Sequence, residues 1–247
     1  MKLVLEKAAD FQKSIDAIAV LIDEAEFIID GNGLALKATD PSQISMVDYS
    51  LEKSAFKEFD AKDKIKIGLD MDYLRQIMSR AKPDDELTLE LDEKNSRLNV
   101  FFKGTSNRKF NLPLIDISAA ELPNPKIEFD AEVKLLASVL QDALKDASLV
   151  SSHVSLGIED GRFIVKAESS KGNLDSITEK DKKNLIELSM KKDATSMFPL
   201  DYLQDMLKTA ASGTAVELFL KSNAPIKVSY EIGRAKIKYF LAPRIES

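Results

Sequence analysis

The sequence predicts an α+β protein in which one domain, made of two helices packed on mostly antiparallel sheet, occurs twice along the chain. The first observation is an internal repeat: DYLRQIM at residues 72–78 resembles DYLQDML at 201–207, and LALKA at 34–38 resembles FIVKA at 163–167. Asp72 corresponds to Asp201 and Leu34 to Phe163, so both matches share one offset in residue number, which is hard to obtain by chance. The second observation is that both halves contain two helical patterns and many short strand-like runs, in the same order.

The repeat divides the chain into two domains of ordinary size. We assign residues 1–115 to the N-terminal domain and residues 130–247 to the C-terminal domain. Residues 116–129 contain Pro123-Asn124-Pro125, and proline fixes φ and removes a hydrogen-bond donor. This stretch is therefore predicted to be an extended interdomain linker.

Two helices are predicted in each half because apolar residues recur at spacings of three and four, which places them on one helical stripe. The four stripes are Phe11, Ile15, Ile18 and Ile22; Leu74, Ile77, Met78 and Ala81; Leu136, Val139, Leu140, Ala143 and Ala147; and Leu203, Met206, Leu207 and Ala210.

Short runs of strand-forming residues lie around these helices. Turn sequences such as Asp30-Gly31-Asn32-Gly33, Asp40-Pro41-Ser42 and Asp160-Gly161 separate them. The predicted strands are residues 26–30, 34–39, 65–69, 87–91, 97–102, 109–114, 162–167, 216–220 and 227–232.

Composition excludes several classes of function. The chain has no cysteine, which removes disulfides, iron–sulfur clusters and thiolate zinc sites. Its apolar runs are too short to cross a membrane, and MKLVLE at the N-terminus reaches an acid before a signal-peptide core could form. We therefore expect a cytoplasmic protein. The net charge of −6 argues against nucleic acid only superficially, because net charge does not report how charge is distributed over a fold.

No catalytic, metal or cofactor site is predicted. His153 is the single imidazole, and it lies in an alternating stretch typical of a strand, without a nucleophile motif elsewhere. The acid pairs Asp84-Asp85 and Glu179/Asp181 lie in predicted loops without metal-ligand spacing, so we expect solvated loop faces. The glycine-rich Asp30–Gly33 segment joins two predicted strands and precedes no helix, which favours a hairpin turn over a phosphate cradle.

Basic residues on the predicted helices are candidates for contact with DNA. On the third helix Lys134, Ser138, Gln141 and Lys145 are spaced 4-3-4, opposite the apolar stripe. Ordinary solvated helix faces are the alternative, since aspartates such as Asp16 and Asp142 interrupt the pattern. The candidate DNA-contacting residues are Lys13, Arg75, Arg80, Lys82, Lys134, Lys145 and Lys208.

The C-terminal segment YFLAPRIE at residues 239–246 resembles the terminal signature of sliding clamps of the PCNA (proliferating cell nuclear antigen) type. The resemblance covers the whole chain, including the duplicated halves, the Glu121-Leu122-Pro123 linker and the Asp40-Pro41-Ser42 loop. The chain stops at Ser247 without the acidic extension usual in eukaryotic members, so it looks more like an archaeal clamp. The resemblance implies the DNA-clamp fold, a ring-forming α+β architecture.

The function that this resemblance implies is not enzymatic. Three subunits would pair head to tail into a homotrimeric ring around double-stranded DNA, without reading its sequence. The ring would confer processivity on DNA polymerase and tether replication and repair proteins such as the clamp loader, flap endonuclease and DNA ligase through short clamp-binding peptides. The edge strand near Arg108, Lys109 and Phe110 should pair with the strand near Asn173, Leu174 and Asp175 of the next subunit.

The resemblance also implies an apolar pocket for partner peptides. Asn124 stands where many relatives carry an aliphatic residue, and Gln12 and Ala19 stand where relatives often have lysine. These departures put in question the linker side of the pocket and the DNA role of the first helix. Carried over by position, the pocket residues are Thr39, Ile44, Leu122, Pro125, Pro225, Phe240, Ala242 and Pro243.

Three alternatives stay open from sequence alone. The chain could be one subunit of a heterotrimeric clamp, because a single sequence does not distinguish self-pairing from pairing with paralogues. It could be a nucleic-acid-processing enzyme of similar fold, although no convergent Asp/Glu/His motif supports that. It could also be a pure protein-interaction scaffold, which would not stimulate a polymerase.

Overall fold

The repeat seen in the sequence is also present in three dimensions, in a computed structural model that describes residues 1–61, 63–117, 122, 125–181 and 183–244. The chain forms two compact units. The first contains Met1–Gln43, Val47–Pro123 and Ile232–Ile237, and the second contains Ile44–Met46, Asn124–Glu231 and Lys238–Ser247. The domain boundaries given above stay a prediction, and part of the predicted linker lies outside the described residues. No helix of the described part has the length and apolarity that a membrane crossing requires.

The first half of the chain contains two helices and nine strands among its described residues. Its strands form two antiparallel layers, with the orders β5-β1-β7-β8-β9 and β4-β3-β2-β6. The elements are β1 (Lys2–Leu5), α1 (Ala8–Ala19), β2 (Glu24–Asp30), β3 (Gly33–Thr39), β4 (Ser45–Glu52), β5 (Glu58–Asp60), β6 (Ile65–Asp70), α2 (Met71–Met78), β7 (Glu86–Asp92), β8 (Arg97–Lys103) and β9 (Arg108–Pro113).

The second half repeats this plan. Its strands follow the orders β14-β10-β16-β17 and β13-β12-β11-β15, again antiparallel. The elements are β10 (Ala131–Leu136), α3 (Ala137–Ser148), β11 (His153–Glu159), β12 (Arg162–Ser169), β13 (Gly172–Thr178), β14 (Leu185–Met190), β15 (Ala194–Pro199), α4 (Leu200–Leu207), β16 (Ala215–Leu220), β17 (Ile226–Ile232) and β18 (Ala235–Leu241).

The offset that relates Asp72 to Asp201 holds through the whole repeat. Shifted by it, α1 and α2 coincide end to end with α3 and α4 in residue number, and β2, β6 and β8 coincide in the same way with β11, β15 and β17. The predicted α+β class with two duplicated, two-helix domains is therefore confirmed.

The helical stripes are confirmed except at Leu136, which is the last residue of β10 and precedes α3, and three of the helices end earlier than predicted. In α1, Phe11, Ile15 and Ile18 are buried, whereas Ile22 lies beyond the helix end and is buried in the following segment. Similarly, Ala81 and Ala210 follow the ends of α2 and α4. Apolar spacing shows which face is buried, but it does not show where the backbone leaves the helix.

The paired helices of the second unit are joined by a polar side chain. Gln141 on α3 donates from Nε2 to the main-chain oxygens of Leu207 and Ala210, each at 2.9 Å. These carbonyls lie at and just beyond the C-terminal end of α4, where the last main-chain acceptors have few backbone donors, and Leu207 O also accepts from Ala210 N at 3.1 Å. Gln141 therefore caps the C-terminal end of α4. Its spacing with Lys145 had predicted a free polar face, and that prediction is wrong for Gln141.

Candidate nucleic-acid and partner interfaces

Four of the candidate DNA-contacting residues lie on the helices or at a helix end. Lys13 is on α1, Arg75 on α2 and Lys145 on α3, and Lys208 directly follows α4. All four side chains are exposed. Because α1 packs on α2 and α3 on α4, each unit presents its cations from one helix pair.

Two of the candidate DNA-contacting residues, Lys134 and Arg80, do not lie on helices as predicted. Lys134 lies in β10, where its Nζ is 3.0 Å from Glu217 Oε1 on the neighbouring strand. The backbone pairs with β14 up to Leu135 and with β16 up to Leu136, and it turns helical only at Ala137, so the 4-3-4 spacing with Lys145 is coincidental. Arg80 lies in the loop after α2, since that helix ends at Met78. Lys82 follows in the same loop and is exposed.

Aspartates accompany the helix cations. Burial raises the pKa of Asp16 on α1, and the nearby Arg75 guanidinium opposes that shift. Burial likewise raises the pKa of Asp205, against the influence of Lys208. Lys145 Nζ lies 3.3 Å from Asp142 Oδ1, an exposed pair one helical turn apart. Each of these positive charges is thus partly balanced, which makes any phosphate contact weak and exchangeable.

The two strands predicted to form the subunit interface are both at a sheet edge. β9 is hydrogen-bonded on one side to β8, and β13 to β12. Lys109 is exposed with its Nζ 5.1 Å from the Phe101 ring centroid, whereas the half-buried Phe110 ring packs on Phe102. Arg108 differs, because its guanidinium turns inward to a buried carboxylate.

On the other edge strand, Asn173 and Asp175 are exposed and Leu174 is half-buried between them. The three residues help to line an open cavity of about 410 Å³ in the second unit. His153 and Arg244 lie on the same cavity, with Arg244 Nη1 3.1 Å from His153 Nδ1.

The candidate pocket residues fall in both units. Thr39 and Leu122 belong to the first unit and the other six to the second. In the second unit Ala242 N donates to Ile44 O at 2.8 Å. Phe240 lies within β18, half-buried between the fully buried Tyr239 and Leu241, so its side chain is on the strand face opposite the core.

The three prolines of the predicted pocket are accessible to different degrees. Pro125 is exposed, and Pro225 and Pro243 are half-buried. Asn124, whose polar side chain departs from the family pattern, lies outside the described residues.

The loop acids have local roles, and one of them was misjudged. Asp85 is only 1% exposed, so the expectation of a solvated loop face is wrong for this residue, although Asp84 is exposed. The described residues contain no cluster of three metal-ligating side chains. The Asp30–Gly33 segment is the predicted hairpin turn between β2 and β3, with Asn32 N donating to Asp30 Oδ1 at 2.7 Å.

Asp181 organises the turn before β14. Its Oδ1 accepts hydrogen bonds from the backbone N–H groups of Lys183, Asn184 and Leu185, at 2.7 to 3.1 Å. These bonds favour the ionised carboxylate and lower its pKa from 3.8 to about 2.

We expect the Asp181 turn to be stable at neutral pH and to open in acid. Because the folded pKa lies below the unfolded value of 3.8, the stabilisation is complete above about pH 4 and is lost as the pH falls through about 2. The amide chemical shifts of Asn184 and Leu185, followed by NMR from pH 5 to pH 1.5, should titrate together near pH 2. Asp181→Asn should abolish this titration, and an unchanged profile in that variant would contradict the assignment.

A duplicated two-helix domain, with exposed cations on each helix pair and an edge strand at each predicted interface, is the arrangement that the resemblance to DNA clamps implies. The PCNA N-terminal domain model matches residues 1–121, and the PCNA C-terminal domain model matches residues 124–245. The chain belongs to the proliferating cell nuclear antigen family, the sliding clamps of DNA replication.

Similar proteins cover nearly the whole chain. The DNA polymerase sliding clamp of Methanococcus maripaludis strain C5 is 38% identical over 245 residues, 96% of each chain. That of Pyrococcus furiosus is 33% identical over 246 residues, 99% of this chain and 98% of the relative.

Solved structures of archaeal PCNA have the same fold. PCNA from Thermococcus kodakaraensis matches with a TM-score of 0.94 at 26% identity, over 98% of this chain and 99% of that one. A. fulgidus PCNA, solved with the C-terminal region of FEN-1 bound, matches with a TM-score of 0.89 at 29% identity, over 100% and 99%.

Proposed function

We propose that this protein is the subunit of a homotrimeric sliding clamp that closes around duplex DNA and has no catalytic activity of its own. The match of both halves to the two PCNA domains carries this proposal. The ring tethers DNA polymerase, and also the clamp loader, flap endonuclease and DNA ligase, to the template.

The internal repeat supports head-to-tail pairing of β9 with β13. In the second unit the bond from Ala242 N to Ile44 O joins the residue after β18 to the residue before β4. The repeat offset relates Ala242 to Pro113, at the end of β9, and Ile44 to Asn173, in β13. The two unpaired edge strands are therefore the counterparts of two segments already bonded within one chain, and pairing them between chains would also cover two sheet edges.

The free side of β9 has donors for such a ladder. Leu114 N donates to Ser96 O, toward β8, and N–H groups alternate in direction along an antiparallel strand. The backbone N–H groups of Asn111 and Lys109 therefore point to the free edge of β9. Pro113 has no N–H, so the intermolecular ladder would use these two residues.

The cations on and near the helices suit sliding. Sliding requires attraction to phosphate without base readout, because base-specific hydrogen bonds would hold the ring at one sequence. Arg75, Lys82, Lys145 and Lys208 are long and exposed, and three of them have an aspartate neighbour that moderates their charge. Retention then depends on the closed ring, while these residues supply weak contacts. Lys134, which is ion-paired on a strand, is not part of this set.

The second site takes partner peptides. The A. fulgidus relative with the C-terminal region of FEN-1 bound supports such a site. In this chain the candidate residues include half-buried Phe240 and three accessible prolines, which suit a peptide that inserts aromatic and aliphatic anchors.

The oligomeric state of the purified chain tests the ring directly. Light scattering at micromolar concentration should give three times the 27.4 kDa chain mass, without added DNA or partner. A persistent monomer would contradict the homotrimer. If a paralogous chain then restored the trimeric mass, the protein would be one subunit of a heterotrimeric clamp.

A further inference from the structure

A buried carboxylate in the first unit joins three segments that are distant in sequence. Asp85 accepts a hydrogen bond at Oδ2 from Lys82 N, 2.8 Å away, and from Arg108 Nη2. Its main-chain oxygen accepts from Ala8 N at 2.8 Å, at the start of α1. Asp85 thereby connects the loop after α2, the beginning of α1 and the edge strand β9.

Arg108 is held from several sides. Besides Asp85, its guanidinium donates from Nη1 to Arg80 O, and its Cζ lies 5.0 Å from the centroid of the Phe102 ring. The side chain is only 22% exposed, although Arg108 is the first residue of an edge strand. A planar guanidinium with an aromatic face and two acceptors has one orientation available to it.

Gly104 leaves room for the carboxylate. A Cβ at this position would clash with Asp85 Oδ1. The backbone of Gly104 is not in the left-handed region, so space and not φ requires glycine there. An alanine would therefore displace the carboxylate without removing either charge.

We propose that Asp85 and Arg108 are positioning residues that fix the loop of residues 80–85 to edge strand β9. They thereby couple the subunit edge to the DNA contacts of Arg80 and Lys82. This inference rests on the proposed function. Arg108 binds the carbonyl of Arg80, and Asp85 binds the amide of Lys82, so the two cation-bearing residues are fixed at their main chains while their side chains remain exposed. Because Arg108 is the first residue of β9, the coupling predicts that pairing of this strand at its free side also changes the position of the Asp85–Arg108 ion pair.

Local amide exchange in the full-length protein tests this coupling. In Arg108→Gln and in Gly104→Ala, hydrogen–deuterium exchange at the Lys82 amide should rise at least about tenfold, because its acceptor is displaced. Amides of β11 and β12, in the other unit, should not change. Lys103→Gln, an exposed residue at the end of the neighbouring strand β8, is the matched control and should leave the Lys82 amide protected.

A second measurement separates positioning from a purely structural role. The salt dependence of affinity for linear duplex DNA should weaken in Gly104→Ala by roughly one to two units of slope, because the phosphate contacts of Arg80 and Lys82 are misplaced, while the amides of β11 and β12 keep their protection. Unchanged exchange at Lys82 in both variants would overturn the positioning role, and raised exchange with an unchanged salt slope would overturn its link to DNA. If Arg108→Gln fails to fold, the result for Gly104→Ala alone tests the positioning role, because this variant keeps the charges of both Asp85 and Arg108. Failure of the wild-type protein to stay on DNA would count against the proposed function alone, because the exchange result does not depend on DNA.

Discussion

Replacing Leu122, Phe240 and Pro243 together with alanine should weaken the binding of a clamp-binding peptide by at least about a hundredfold, while the trimer survives. Interface anchors typically lose about 1–3 kcal/mol each when they are truncated, and about 2.8 kcal/mol corresponds to a hundredfold change in Kd. Phe240 contributes its accessible side chain from the face of β18 that does not face the core, so its truncation leaves Tyr239 and Leu241 buried.

The measurement is calorimetric titration with a peptide carrying aromatic anchors, with light scattering of the same sample. Lys238→Ala is the matched control, because Lys238 lies two residues before Phe240 on the same face of β18. It should bind within a few-fold of the wild type. Wild-type affinity in an intact triple-mutant trimer would show that the pocket lies elsewhere, and a dissociated trimer would show that these residues are structural.

Removing the four cations on and near the helices should weaken the electrostatic attraction of the protein to DNA in a salt-dependent way, and so impair loading and polymerase stimulation. The variant changes Arg75, Lys82, Lys145 and Lys208 to alanine. Each phosphate contact contributes about 0.9 to the slope of log affinity against log salt, so the slope should fall by about 3 to 4. Near 0.2 M salt, polymerase stimulation should decrease at least about tenfold, whereas any single substitution should cost little.

A control with the same change in net charge distinguishes a local effect from a general one. Four exposed lysines outside the α-helices serve this purpose, and their replacement should leave the salt slope unchanged. They are Lys53, Lys94, Lys103 and Lys191. Equal slopes for the two quadruple variants would mean that DNA passes elsewhere. The urea midpoint of both should match the wild type, because all the altered side chains are exposed.

The sequence predicted the repeat, the four helices and about half of the strands described, because these depend on local periodicity. Phe11, Ile15 and Ile18 form a stripe that only a helix can bury, and a similar stripe recurs in α3, the counterpart of α1 in the second half. Lys134 was misplaced because strand pairing depends on partners such as Glu217, 83 residues away, that local spacing does not reveal.

The same limit applies to the sites. Asp85 was expected in solvent because nothing near it in the sequence shows that Arg108, 23 residues later, turns inward to meet it. The exposed cations Lys13, Arg75 and Lys145 were found correctly on helices because amphipathic spacing itself identifies the polar face. The pocket and interface residues came from the family resemblance, since no periodicity marks a surface that binds another chain.

A comparison of retention on circular and linear duplexes tests the topological link between ring and DNA. The protein is assembled on a nicked circular plasmid with a clamp loader and ATP and then passed through a gel-filtration column in 0.2 M salt. We expect it to elute with the circle, and we expect a single restriction cut, made before the column, to release nearly all of it. Equal retention on circular and cut DNA would contradict encirclement and indicate ordinary surface binding.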